Sequence, residues 1–142
     1  MNSSCFEKLL QLKFDSIKKI IEELGILRFR SNGFSMFPTI NNGEIVNIIP
    51  VNEIKIGDIL LYGIDDRLLL HRVIKKGYLL CVKGDNEEIR EYIKNSSVLG
   101  KYTNINSDNI NFNNINKKFI FSNEIYSIKF QVKKGILEEI NI

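Results

Sequence analysis

The sequence predicts a mainly β fold of the α+β class, with an antiparallel β core flanked by an N-terminal and a C-terminal helix. Three observations predict it. Apolar residues recur three and four apart from Phe6 to Leu24. Between Ile26 and Thr103, short aliphatic or β-branched runs alternate with turn-forming residues. From Asn123 to Ile140 the helical spacing returns. At 142 residues the chain is read as a single domain, 1–142. It divides into a helix over 1–25, a β core over 26–103, and a loop with a helical extension over 104–142.

The first helix rests on Phe6, Leu9, Leu10, Phe14, Ile17, Ile20, Ile21 and Leu24. Ser3 or Ser4 can cap its start, and Gly25 sits where a C-terminal glycine belongs. Lys8, Lys13, Lys18 and Glu22 occupy its other face. Such a helix packs on its own domain or on a partner. Mixed charge on the polar side argues against a membrane-surface role.

The expected strands are Ile26–Arg30, Glu44–Val51, Asp58–Ile64, Leu68–Ile74, Leu79–Lys83 and Val98–Thr103. Asn41-Asn42-Gly43, Lys55–Gly57, Asp65-Asp66 and Lys76-Gly77 are the turns between them. Asp65-Asp66 and Lys76-Gly77 suit hairpins, being the short loops that antiparallel strands prefer. Asn104–Asn116 is rich in Asn and reads as a loop. Phe119–Phe121 fits a last strand or the approach to a helix. The closing helix rests on Ile125, Ile128, Phe130, Val132, Ile136 and Ile140, with Gly135 weakening it by about 1 kcal/mol relative to Ala.

Composition excludes several classes. Hydrophobic residues make up 44% and charged residues 26%, which is globular rather than disordered. No 18-residue window is free of charge, so no spanning helix is expected. A net charge of +3 is too small to imply nucleic acid. Cys5 and Cys81 lack metal-type spacing, so neither metal nor other cofactor is expected. Cys81, in an apolar run, reads as a small core residue. Two cysteines and no apolar h-region at the start point to the cytoplasm, with peripheral membrane attachment as an alternative.

Three short segments carry chemistry. In Gly33-Phe34-Ser35-Met36-Phe37-Pro38-Thr39, a turn can present the Ser35 hydroxyl and leave its N–H free for an oxyanion. Leu70-His71-Arg72-Val73 holds the only histidine, and a neutral imidazole is the natural base for a serine. Lys83-Gly84-Asp85-Asn86 places an acid that can orient the imidazole. Taken singly, each has a structural reading as well. These are a surface turn, a core histidine bonded to a carbonyl, and a strand-end turn.

Taken together and in order, Ser35–Thr39, Ile56–Ile59, His71–Val73, Lys83–Asn86 and Leu99–Lys101 resemble the motifs of the signal peptidase I superfamily. That superfamily includes the self-cleaving repressor and mutagenesis-protein peptidases. The resemblance covers Ile26 to Thr103. It implies a serine peptidase core in which Ser35 is the nucleophile and contributes its N–H to the oxyanion hole. His71 stands where many relatives have a lysine, as in the archaeal and endoplasmic-reticulum branch. Asp85 matches that branch's acid. The further Asp usual there is missing, so either a Glu such as Glu91 substitutes for it or Asp85 acts alone. Gly33 stands where signal peptidases often carry a hydroxyl.

The function expected from this resemblance is cleavage of a leader or signal-type peptide, with small side chains favoured at the cut. Phe34, Met36 and Phe37 are candidates for the substrate wall, Phe34 and Phe37 being equally compatible with the core. The alternative is an inactive peptide-binding module of the same fold acting as a partner protein. Expected partners are a peptide or protein substrate, plus a protein or membrane-associated partner met through the terminal helices. A histidine base implies activity rising through roughly pH 6–7.

Overall fold

A computed structural model describes residues 3–105 and 108–140. Helix α1 (Ser3–Leu24) comes first. The strands follow as β1 (Leu27–Arg30), β2 (Ile45–Ile49), β3 (Ile59–Ile64), β4 (Arg67–Lys76) and β5 (Leu80–Lys83). They continue as β6 (Arg90–Ile93), β7 (Val98–Thr103), β8 (Lys117–Ser122), β9 (Ser127–Lys133) and β10 (Ile136–Ile140). All lie in one sheet, ordered β6-β5-β4-β3-β7-β2-β1-β10-β9-β8. Neighbours run antiparallel except β1 and β10, which run parallel.

The sheet is covered by α1 on one face. Ile17, Ile20 and Ile21 of α1 are fully buried there with Leu27, Ile48 and Leu61. Burying each such side chain is worth about 1.5–3 kcal/mol. Two glycines let the helix come close. A Cβ at Gly63 would lie 2.6 Å from the Phe14 ring, and one at Gly100 would lie 3.1 Å from Ile21. Gly25 ends the helix as expected, with φ +77° and its N–H donating to the Ile21 carbonyl at 2.9 Å. The cap expected at Ser3 or Ser4 involves side chains outside the described residues. The apolar face of α1 is thus spent on the chain's own sheet. No helix among the described residues is long and apolar enough to cross a membrane.

A second apolar cluster forms on the opposite face, from Leu60, Tyr62, Val73, Leu80, Val82, Ile93 and Val98. The two faces follow from the pleat. Along β3, Ile59 and Leu61 join the helix side, while Leu60 and Tyr62 join the other. Asp65-Asp66 makes the expected two-residue loop, with Ile64 opposite Arg67.

The expected C-terminal helix is not formed; residues 127–140 are a β-hairpin. Ile128, Phe130 and Val132 are the buried residues of β9, and their spacing is two, not three or four. Lys134 and Gly135 have φ of +53° and +79°, the left-handed pair that a tight two-residue hairpin needs. Gly135, a weak spot in a helix, is the turn of this hairpin. A partner met through a C-terminal helix therefore has no such element to meet. Residues 104–105 and 108–116 are loop with one 3-10 turn (Phe112–Asn114), and 106–107 lie outside the described residues. Phe119 belongs to a strand, β8. Strand β6, in an acid-rich stretch, lies where no strand was expected.

Candidate active site

Ser35 lies in the turn-rich loop, residues 31–40, between β1 and β2. Its base is laced by hydrogen bonds: Gly43 N–H to the Ser31 carbonyl (3.0 Å) and Ser31 Oγ to the Asn41 carbonyl (2.7 Å). Gly33, at φ +97°, donates its N–H to Asn42 Oδ1 at 2.8 Å. Among the described residues, the Ser35 N–H has no intramolecular acceptor. It is free to donate to an oxyanion.

The Gly84-Asp85-Asn86 segment holds this loop from the other side. Asn86 N–H donates to the Ser35 carbonyl (2.8 Å), and Asn86 Nδ2 donates to the Phe34 carbonyl (3.1 Å). Asp85 N–H points at Met36 Sδ at 3.3 Å. Gly84 lies so close that a Cβ there would fall 2.5 Å from the Ser35 carbonyl oxygen. The Asp85 carboxylate takes a bidentate pair from Arg72, at 2.9 and 2.8 Å, and the Thr39 hydroxyl at 2.6 Å. Hydrogen bonding to Arg72, then to Thr39, holds the Asp85 carboxyl below its ordinary range. Asp85 does not touch His71. The expectation that Asp85 orients the imidazole gives way to a different task, clamping the serine loop to β4.

His71, on β4, is only 3% exposed. Its Nδ1 is 2.7 Å from Tyr62 Oη, which in turn donates to Glu91 Oε1 at 2.9 Å. Nδ1 and Glu91 Oε1 are 3.4 Å apart. His71 Nε2 is buried and has no hydrogen-bond partner among the described residues. Burial pushes the imidazole below its ordinary pKa, while Glu87 and Glu91 oppose that shift. The imidazole is therefore neutral near pH 7, with a lone pair for a proton. Glu91 is the carboxylate beside His71.

Ser35 and His71 border one cleft of about 410 Å³ with Phe34, Arg67, Leu69 and Ile89. Their side chains do not hydrogen-bond to each other. Such bonds commonly tighten only when substrate is bound. Phe34 is 64% exposed at the cleft, whereas Phe37, also exposed, does not line it. Met36 is buried in the main core but borders a second, small cavity of about 30 Å³ beside Ser35, with Ile40, Leu68 and Leu70. Strand β4 pairs with β3 from Arg67 to Arg72, but its register with β5 runs only from Arg72 to Lys76. Residues 67–71 thus offer an open strand edge next to Ser35.

The five segments singled out in sequence form one connected set. Thr39 bonds Asp85, Asp85 bonds Arg72, and Arg72 Nη1 donates to the Gly57 carbonyl at 2.8 Å. Asp58 pairs with Lys101 at 3.0 Å. Gly57 N–H and Val73 N–H exchange bonds with the Val73 and Asp58 carbonyls. Tyr62 is the member sequence reading missed. The signal was present: a two-residue loop at 65–66 fixes Ile64 opposite Arg67, which puts Tyr62 and His71 diagonally on one face. Among the described residues no cluster of His, Cys, Asp or Glu is arranged to hold a metal.

Compared with known proteins, the chain matches no family model, no curated protein and no solved structure.

Proposed function

We propose that the chain is a serine endopeptidase with Ser35 as nucleophile and His71 as general base. One observation carries the reading. A loop serine with a free N–H and a buried histidine with an unpaired Nε2 border the same cleft, beside an open strand edge. A surface turn and a satisfied core histidine would need neither the shared cleft nor the orphan nitrogen.

The chemistry follows from these groups. An extended peptide adds along residues 67–71 of β4 by main-chain pairing. Ser35 Oγ attacks the carbonyl carbon as its proton passes to Nε2. The carbonyl oxygen, now negative, receives the Ser35 N–H. The C–N bond breaks, the amine leaves with the proton from Nε2, and an acyl ester stays on Ser35. Water then attacks the ester, giving one proton to Nε2, which returns it to Ser35 Oγ as the acid leaves. Glu91 balances the imidazolium charge formed in each half.

The small cavity lined by Met36, Ile40, Leu68 and Leu70 has room for a methyl-sized group and not for a ring. It favours a small side chain next to the cut. A leader or signal-type peptide fits that preference and the motif resemblance. The test is labelling with a fluorophosphonate probe followed by hydrolysis of peptides with small residues at the cut. Wild type is labelled and Ser35→Ala is not. Ser35→Ala and His71→Ala each lose nearly all turnover, and the double variant is little worse than either. Hydrolysis by Ser35→Ala, or an unlabelled wild type, overturns the reading; the latter favours a peptide-binding module.

A further inference from the structure

Tyr62 stands between His71 and Glu91. Its side chain is fully buried, edge-on to the imidazole with ring centroids 5.8 Å apart. Its hydroxyl reaches Nδ1 at 2.7 Å and Glu91 Oε1 at 2.9 Å. The direct separation of Nδ1 and Oε1, 3.4 Å, is long for a hydrogen bond. The carboxylate is therefore coupled to the imidazole chiefly through the phenol.

Proton counting fixes the direction of this chain. A carboxylate only accepts, so the single phenolic proton goes to Glu91. The phenolic oxygen is left as an acceptor, and the group facing it at Nδ1 must donate. A neutral imidazole has one N–H. With that hydrogen on Nδ1, Nε2 carries the lone pair. Nε2 is also the nitrogen that no other group among the described residues uses.

We propose that Tyr62 is a positioning residue that holds His71 as the Nδ1–H tautomer by passing the hydrogen-bond demand of Glu91 to it, so that Nε2 is the base for Ser35. The proposal deepens the peptidase reading and rests on it for its catalytic meaning. The phenol stays protonated throughout: burial first, and the bond to Glu91 next, push its pKa above the ordinary value. The charged groups around the imidazole are Glu87, Glu91, Asp85 and Arg67, three acids against one base. When Nε2 takes the serine proton, the imidazolium is stabilised through Tyr62 by Glu91, and no proton leaves the phenol.

His71 is the only histidine, so ¹⁵N-histidine labelling reads a single imidazole by NMR without assignment. At a pH where the ring is neutral, wild type shows a protonated Nδ1 and an unprotonated Nε2. Tyr62→Phe keeps the ring and removes the oxygen. It converts the single tautomer to a mixture and lowers kcat by about tenfold, the rate equivalent of one hydrogen bond, with KM little changed. Glu91→Gln, whose amide can also donate to the phenol, moves the tautomer in the same direction and stands in if Tyr62→Phe does not fold. An Nε2–H wild type, or a tautomer unmoved in the folded variants, overturns the proposal. The spectrum needs no substrate. A tautomer that responds as stated in a chain that hydrolyses nothing upholds the Tyr62 assignment and refutes the peptidase reading alone.

Discussion

Asp85 and His71 are two site residues whose pKa the fold lowers, and each ties stability to acid pH. Arg72 and Thr39 hold the Asp85 carboxyl below its ordinary value. Its contribution is full above the unfolded value of about 3.9 and is lost as pH falls through the folded one. His71 is also shifted down, by burial. Below about pH 6.5 the unfolded chain binds that proton more readily, so stability falls there as well. Urea unfolding against pH checks this: stability declines on acidification below about pH 6.5, and Asp85→Asn flattens the part near pH 4. With His71 as the proposed base, the same downward shift predicts an acid limb of kcat/KM below about pH 6.5, at the low edge of the range expected for an ordinary histidine or beneath it. An acid limb well above that value, or one unmoved in Glu91→Gln, would exclude His71 as the titrating base.

At the scale of elements, the serine loop is braced by the strand end that follows β5. Gly84 packs against Ser35 so closely that a Cβ would lie 2.5 Å from its carbonyl oxygen and 3.1 Å from its Cβ. Backbone cannot yield as a flexible side chain can, so Gly84→Ala displaces Ser35. The expected outcome is loss of fluorophosphonate labelling by tenfold or more, with about 1–3 kcal/mol of destabilisation from overpacking. Labelling at the wild-type rate would show that the turn has slack. This brace also explains what was legible in the sequence. Ser35, His71 and Asp85 stood out because loop, strand and turn chemistry are local. The partner of His71 did not, because choosing between Asp85 and Glu91 depends on how β6 pairs with β5, and β6 is four residues long. The C-terminal hairpin was misread for a related reason. Ile128, Phe130 and Val132 alternate, but Ile125, Ile128, Val132 and Ile136 also fit a helix, and only the left-handed turn at Lys134-Gly135 decides between them.

For the molecule as a whole, the sheet sets α1 and the Tyr62–His71 pair on opposite faces. Helix α1 and its isoleucines cover one face; Tyr62 and His71 lie on the other. Ile20→Ala should cost about 2–5 kcal/mol in calorimetry or urea unfolding, while labelling of Ser35 below the melting temperature stays near wild type. Equal losses in both would mean that α1 supports the site directly. The sheet also has a seam. Strands β8, β9 and β10 join the other seven through the β1–β10 pair, where the register is the single parallel rung Arg28–Ile136. Helix α1 bridges that seam, with Lys117 to Glu23 at 3.1 Å and Lys8 to Glu124 at 3.1 Å. The rung couples residues about a hundred positions apart, and contacts of such range form late because loop closure must come first. During synthesis, therefore, the edge of β1 waits uncovered until the β9–β10 hairpin has been made, and an uncovered strand edge is a template for unwanted pairing.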